Sequence, residues 1–145
     1  MSQSIGLAAA NSVCRAALAK AAELKLKPLT VAVLDAGGHV IASQRQDGSS
    51  TLRLQIACAK AAGALGLGMS SRRIAEMAAE RSGFVAALAP ISPYGVVPAA
   101  GGLIVVNAEG VPIGAVGISG DTSDNDELCA SAGIAAAGLS AQPEP

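Results

Sequence analysis

The sequence predicts an α/β (α+β) sandwich, in which helices cover both faces of an antiparallel β-sheet. Two β-hairpins separated by helices carry this prediction, and each is centred on a tight turn, Gly37-Gly38 in the first and Glu109-Gly110 in the second. The strands beside both turns have apolar residues on both faces, as expected of a sheet that is buried on both sides. The motifs GxGxxG and GxxxxGKS/T are absent, which disfavours a nucleotide-binding α/β fold.

The first half of the chain predicts two helices around the first hairpin. Apolar residues recur at helical spacing over 4–26, and Pro28 ends this helix. Strands are predicted at 29–35 and 39–46, on either side of the glycine turn. A break rich in hydroxyl groups then precedes a second helix over 51–67.

The second half predicts a short helix, a loop, the second hairpin and a last helix. Ser70 or Ser71 caps the short helix, which runs to about 82. Three prolines make 89–100 a loop, with a candidate edge strand at 94–97. The remaining elements are strands at 102–107 and 111–119, a helix at about 122–139 and a frayed tail from 140. The prediction is therefore one domain over 1–140 with a flexible tail at 141–145.

Composition excludes several classes of function. The chain of 145 residues carries 10 basic and 11 acidic residues with no basic stripe, so nucleic acid is not expected as a partner. No apolar run is long enough to cross a membrane, and the N-terminal segment has the pattern of a helix rather than of a signal peptide, which predicts a cytoplasmic protein. Residues of hydrophobic type make up 51%, but most are small and only one Tyr and one Phe occur. Because small side chains leave one domain little bulk to bury, this composition favours a homo-oligomer.

The three cysteines do not form a metal or redox motif. Cys14, Cys58 and Cys129 are odd in number, widely spaced and each within a predicted helix. Reduced, buried thiols are therefore predicted, in keeping with a cytoplasmic protein, and no metal site is predicted.

Four motifs occur in the order in which a known family has them. They are Asp35-Ala36-Gly37-Gly38, Arg45 with Asp47-Gly48, Gly101-Gly102, and the glycines 114, 117 and 120 ahead of Asp126-Glu127. On these residues the chain resembles, over nearly its whole length, the GlcG/HbpS-like family, which includes the C-terminal domain of PduO. The resemblance implies a profilin-like sandwich with a five-stranded antiparallel sheet, and homo-oligomers from dimers to octamers. It also implies haem as a cofactor, with assistance of haem degradation or redox sensing as the function.

His39 and Tyr94 are the first candidates for a functional site. His39 is the only imidazole of the chain and could be an axial haem ligand or a general base, whereas a solvated turn residue is the alternative. Haem could also be held by Tyr94, Met69, Met77 or Cys58. Tyr94 lies in the proline-rich loop and could otherwise bind a substrate or donate a proton, or simply plug the loop.

Arg45 and Lys60 are candidate substrate-binding cations. Arg45 is interpreted as sharing a strand face with Ile41 and Ser43, where its guanidinium suits a carboxylate; the alternative is an ion pair with Asp47 or Asp35. Lys60 lies among small apolar residues of the second helix. It could be partly buried with a lowered pKa, but the favoured interpretation is that its side chain reaches outward to solvent.

The acidic segment 121–127 marks the start of the last helix. Capping and the helix dipole explain most of its Asp, Thr and Ser residues. They do not require four acids, so one could serve as a catalytic base. Asp126 and Glu127 match the acidic pair of the family and are the preferred candidates.

Two functions from different classes follow. The resemblance favours a haem-binding oligomer. The alternative is a cofactor-independent isomerase, lyase or hydratase of a catabolic pathway, in which Arg45 holds a small carboxylate substrate and Asp126, Glu127 or His39 moves the proton.

Overall fold

A computed structural model describes residues 3–144. Its elements, in chain order, are α1 (Leu7–Glu23), β1 (Thr30–Asp35), β2 (Val40–Arg45), α2 (Arg53–Leu67), α3 (Ser71–Glu80), α4 (Ser82–Leu88), a 3-10 turn (Ala89–Ile91), β3 (Gly102–Val106), β4 (Pro112–Ser119), α5 (Ser123–Ala136) and β5 (Ser140–Ala141). None of the described helices is both long and apolar enough to cross a bilayer.

The five strands form one antiparallel sheet in the order β2-β1-β4-β3-β5. The two hairpins join through their inner strands, since β1 pairs with β4 from Thr30↔Ser119 to Asp35↔Gly114. Helices α1 and α5 cover one face of the sheet, and α2 and α3 cover the other. This arrangement confirms the predicted sandwich and its five-stranded antiparallel sheet.

Helix α2 lies unusually close to the sheet at Gly117 of β4. A Cβ added to Gly117 would lie 1.9 Å from the carbonyl oxygen of Ala57. The helix backbone therefore packs directly on the strand, with small residues such as Ala32, Ala61 and Ala115 filling the contact.

The fifth strand is not the one that the sequence predicts. Residues 94–97 form no strand, because the prolines on either side leave a turn instead of a ladder. The fifth strand is β5, which pairs with Val105 and Val106 of β3, and the backbone N–H of Gln142 donates to Ile104 at 2.8 Å. The prediction of a tail that frays from 140 is therefore wrong at its first residues.

The first helix and the segment after α3 also differ from the prediction. Helix α1 is shorter, and Lys25 just after it has a φ of 55°, in the left-handed region that ends helices. The chain breaks at Arg81 (φ −132°) and starts α4, a helix that the sequence analysis did not predict. Val85 of α4 is buried, which anchors the segment that follows.

Candidate functional site

An apolar cavity of about 450 Å³ lies at the C-terminal half of α2. Its walls are the β1–β2 turn, α2, the end of α4 and the loop that follows; they comprise Ala36, Gly37, Gly38, Ala62, Gly63, Leu65, Gly66, Leu67, Leu88, Ile91, Ser92, Pro93, Tyr94 and Val96. Ser92 and Tyr94 supply the polar side chains of this lining, and no charged residue belongs to it. A cavity of this size and character suits an apolar small molecule.

Small residues of α2 keep the cavity open. A Cβ added to Gly66 would meet no atom within 4 Å, whereas one added to Gly63 would lie 3.3 Å from Val96. The α2 side of the cavity is therefore open at Gly66 and closely packed against Val96 at Gly63.

Tyr94 is presented to the cavity by a tight turn. The backbone N–H of Gly95 donates to the Ser92 carbonyl at 3.0 Å, and the Ser92 hydroxyl donates to the Gly95 carbonyl at 2.8 Å. Gly95 has a φ of 81°, which favours glycine at this position. The turn fixes the backbone of Tyr94, and the residue is 38% exposed.

His39 lies at the rim of the same cavity. Its side chain is 81% exposed, and Nδ1 is 3.5 Å from Oδ1 of Asp35. A Cβ on Gly37 would lie 3.1 Å from Nδ1, so the ring packs beside a residue of the lining. The Asp35 carboxylate accepts the backbone N–H groups of His39 and Gly37 at 2.9 Å, and these bonds, His39 first, lower the pKa of Asp35. Asp35 thus stays ionised and organises the turn.

Lys60 and Asp126 form a buried ion pair away from the cavity. Lys60 is 3% exposed and Asp126 is 1% exposed. The ammonium donates to Asp126 Oδ2 at 3.1 Å and to the Ile118 carbonyl at 2.9 Å, while Asp126 Oδ1 accepts the backbone N–H of Asp121 at 3.0 Å. The favoured interpretation of Lys60 as a solvent-facing side chain is therefore wrong. The alternative of burial is confirmed, and burial lowers the pKa of Lys60 and raises that of Asp126.

A gap at the end of the sheet lets Lys60 reach Asp126 from the opposite face. A Cβ on Gly101 would lie 2.8 Å from Lys60 Nζ and 2.7 Å from the Ile118 carbonyl oxygen. Gly101 also has a φ of 129°. A glycine is therefore required there both by its backbone conformation and by the ammonium group beside it.

Glu127 points in a different direction from its neighbour Asp126. Its carboxylate accepts from Arg72 Nε at 3.1 Å and 3.2 Å, and Arg72 also pairs with Asp124. These carboxylates raise the pKa of Arg72, Asp124 first. The cluster joins α3 to α5 at the surface.

Arg45 lies on the exposed edge strand. A β-bulge between Ala42 and Val40 turns Ile41 toward the α1 side of the sheet, where it packs on the core, whereas Arg45 is opposite Thr30 on the α2 side. The interpretation that Arg45 shares a face with Ile41 is therefore wrong. Within residues 3–144, Arg45 also makes no ion pair with Asp47 or Asp35.

The structure brings the candidates Lys60 and Asp126 into contact, and it places Tyr94 in the lining of the cavity while His39 follows Gly38 of that lining in the chain. Glu127 pairs with Arg72, and Arg45 forms no ion pair within residues 3–144. Sequence reasoning missed the wall contributed by Leu88 and Ile91. The apolar run before Pro90 was the available signal.

The cysteines are free and buried, as predicted. Burial raises the pKa of Cys14 and of Cys129 to about 11. Both thiols are therefore protonated near neutral pH and are poor nucleophiles.

The fold and the cavity define an α+β sandwich with a pocket of the size of a small apolar ligand. The chain belongs to the HbpS-like family: the family described as "Haem degrading protein HbpS-like" matches residues 5–135.

Individual relatives agree with this assignment. A 15.0 kDa protein of the dhaT-dhaS intergenic region of Citrobacter freundii is 34% identical over 126 residues, which are 87% of each chain. The crystal structure of HbpS has 30% identity and a TM-score of 0.80, covering 93% of this chain and 91% of that one. The crystal structure of a PduOC:heme complex has a TM-score of 0.84 over 97% of this chain and 99% of that one; at 22% identity it shows the likeness of fold alone.

Proposed function

We propose that this protein binds haem in the apolar cavity beside the Gly37-Gly38 turn. The observation that carries the proposal is a cavity of about 450 Å³ that has a phenol in its lining and the only imidazole of the chain at its rim. Membership of the HbpS-like family supports it, as does the likeness to a protein whose structure contains haem.

The residues of the cavity fit a haem group. Apolar walls accept the porphyrin, and Gly66, an exposed residue of the lining, leaves part of the α2 wall without a side chain. Because no charged residue lines the cavity, the propionates would face the solvent at its mouth. Tyr94 and His39 offer a phenol and an imidazole, two of the kinds of side chain that ligate haem iron.

The roles of the two ligand candidates differ. Tyr94 belongs to the lining and is held by a hydrogen-bonded turn, whereas His39 must turn away from Asp35 before its ring can enter. We therefore assign the principal iron contact to Tyr94 and a secondary one to His39.

The bound haem would supply redox chemistry at its iron. The iron would then be the redox-active centre for assistance of haem degradation or for redox sensing. The buried thiols of Cys14 and Cys129 are unsuited to sense oxidants themselves, because burial raises their pKa values.

We also retain the predictions of a cytoplasmic location and of a homo-oligomer. Light scattering of the purified protein tests the second prediction, which a single monomer mass would contradict.

A titration with hemin, followed at the Soret band, tests the haem site. Wild type should saturate at one haem per chain. Gly66→Phe should abolish saturable binding, because the ring fills the cavity, and Gly83→Phe is its matched control. Gly83 is also a helical glycine with open space around it, but it does not line the cavity.

The ligand variants refine the same titration. Tyr94→Phe should shift the Soret band and weaken binding by about tenfold, and His39→Ala should have a smaller effect. A shallow rise that is equal in wild type, Gly66→Phe and Tyr94→Phe would mean surface adsorption and would refute the proposal.

The alternative function, an enzyme that acts on a small carboxylate, has less support because its candidate residues do not come together in one site. Its proposed acid-binding Arg45 lies at the sheet edge, while Asp126 is shielded from solvent by its pairing with Lys60.

A further inference from the structure

The opposite end of α2 carries a cation, Arg53, that contacts neutral groups. Arg53 is half-buried, and its guanidinium donates from Nη1 to the Ser119 hydroxyl at 3.0 Å and from Nε to the Ser50 hydroxyl at 3.1 Å. Both acceptors are neutral. Among the ion pairs of residues 3–144, none includes Arg53.

The surroundings of Arg53 add positive charge rather than negative charge. Lys60 is close enough that the Arg53 charge adds to burial, the main cause, in lowering the pKa of that ammonium. Lys60 is already matched by Asp126. The first turn of α2 contains no acidic residue, so the excess charge of Arg53 is not compensated there.

A second arginine lies on the same side of the sheet. Arg45, Thr30 and Ser119 form one row across β2, β1 and β4, which places Arg45 about 10 Å from Ser119 between Cα atoms. The Thr30 hydroxyl is 2.7 Å from that of Ser49. At the level of the backbone the row therefore runs from Arg45 to Ser119, whose hydroxyl accepts from the Arg53 guanidinium, and Thr30 and Ser119 are both buried.

The hydroxyls orient the Arg53 fork without using all of its donors. Nη2 makes no hydrogen bond within the described residues, while Nε and Nη1 are fixed. Arg45 is exposed and free of ion pairs within residues 3–144; Asp47, the acidic residue nearest to it along the chain, is exposed as well. A preorganised guanidinium with free donors is suited to a carboxylate or a phosphate.

We propose that Arg53, assisted by Arg45, binds a small oxyanion, a carboxylate or a phosphate, at the N-terminal end of α2. The site is separate from the haem cavity, because Gly66 lies 13 residues further along the helix, about 20 Å at 1.5 Å per residue. Either proposal can fail without the other.

Titrations with inorganic phosphate and with succinate, each alone in a zwitterionic buffer at constant ionic strength, test this site. Amide shifts and the side-chain Nε–H resonance of Arg53 report binding by NMR. Wild type should show saturable shifts around Arg53 and Ser119 in the millimolar range or below. Saturation by phosphate alone identifies a phosphate site, and saturation by succinate alone a carboxylate site.

Variants locate the binding. Arg53→Gln should lower the affinity about tenfold or more and Arg45→Gln about threefold. Arg15→Gln, which removes an exposed cation of α1, should leave it unchanged. Arg53→Lys keeps the charge but loses the fork, so it should bind more weakly than wild type; it decides the matter if Arg53→Gln does not fold. The proposal is overturned if neither anion saturates wild type, or if both Arg53 variants bind as tightly as wild type.

Discussion

Asp126 and Glu127 are adjacent acids at the start of one helix, yet they tie α5 to the opposite side of the sheet in two different environments. Asp126 meets Lys60 of α2 in the protein interior, with both side chains almost fully buried. Glu127 meets Arg72 of α3 at the surface, where both side chains remain in contact with solvent. Two pairs of similar geometry should therefore contribute very differently to stability, because water screens only the second.

Breaking the buried pair should have the largest effect. Lys60→Met leaves the Asp126 carboxylate buried without its cation, and the free energy of unfolding should fall by about 3–5 kcal/mol. Urea denaturation measures this change. Asp126→Asn should cost a similar amount, because it leaves the ammonium unpaired.

The double variant Lys60→Met/Asp126→Asn sharpens this prediction. It leaves no buried charge, and the Asn carbonyl can still accept the backbone N–H of Asp121. Its loss of stability should be well below the sum of the two single losses. Additive losses would show that the pair is not coupled.

Closing the gap that admits Lys60 should have the next largest effect. Gly101→Ala places a Cβ against Lys60 Nζ and the Ile118 carbonyl, at a φ that disfavours alanine. The expected loss is about 1–3 kcal/mol. Gly66→Ala is the control, since its Cβ meets no atom within 4 Å and a helical alanine should stabilise slightly. Equal stability of wild type and Gly101→Ala would contradict the steric argument.

Removing the surface pair should have a smaller effect. Glu127→Gln should lower the free energy of unfolding by about 1 kcal/mol or less, because the pair is solvated and Arg72 retains Asp124. The loss should shrink further in high salt, whereas the Lys60→Met loss should not. A Glu127→Gln loss as large as that of Lys60→Met would remove the distinction between the two sites.

The sequence predicts the layers of this fold but not the partners of its polar residues. Hairpin turns and apolar strands are local signals, and they identified β1 to β4 correctly. The position of Lys60 depends on Gly101, and that of β5 on two residues that pair with β3 after a helix, so no local pattern reveals either one. The end of α3 was predicted within two residues, but α4 was not, because its seven residues are too few for a helical period to show. Asp126 and Glu127 were preferred together because both match the acidic pair of the family, and their difference in burial depends on packing from outside the helix.

At acidic pH, Asp121 and the buried Asp126 should change the free energy of unfolding in opposite directions. Asp121 accepts from the Asn125 side chain and from the Lys27 backbone N–H, and these bonds lower its pKa from 3.8 to about 2. Between these two pKa values the unfolded chain therefore binds more protons than the folded chain. The stability that Asp121 contributes is complete above a pH of 3.8 and is lost as the pH falls toward about 2. Asp126 acts in the opposite direction, because its pKa is raised by burial and acid relieves the cost of its charge.

Asp121→Asn should consequently be less stable than wild type near neutral pH and should approach wild type at about pH 2. Urea titrations at a series of pH values measure the difference. Asp47→Asn, an exposed acid that forms no ion pair within residues 3–144, is the control. A gap between Asp121→Asn and wild type that stays constant with pH would mean that the Asp121 contacts stabilise the folded state regardless of its charge.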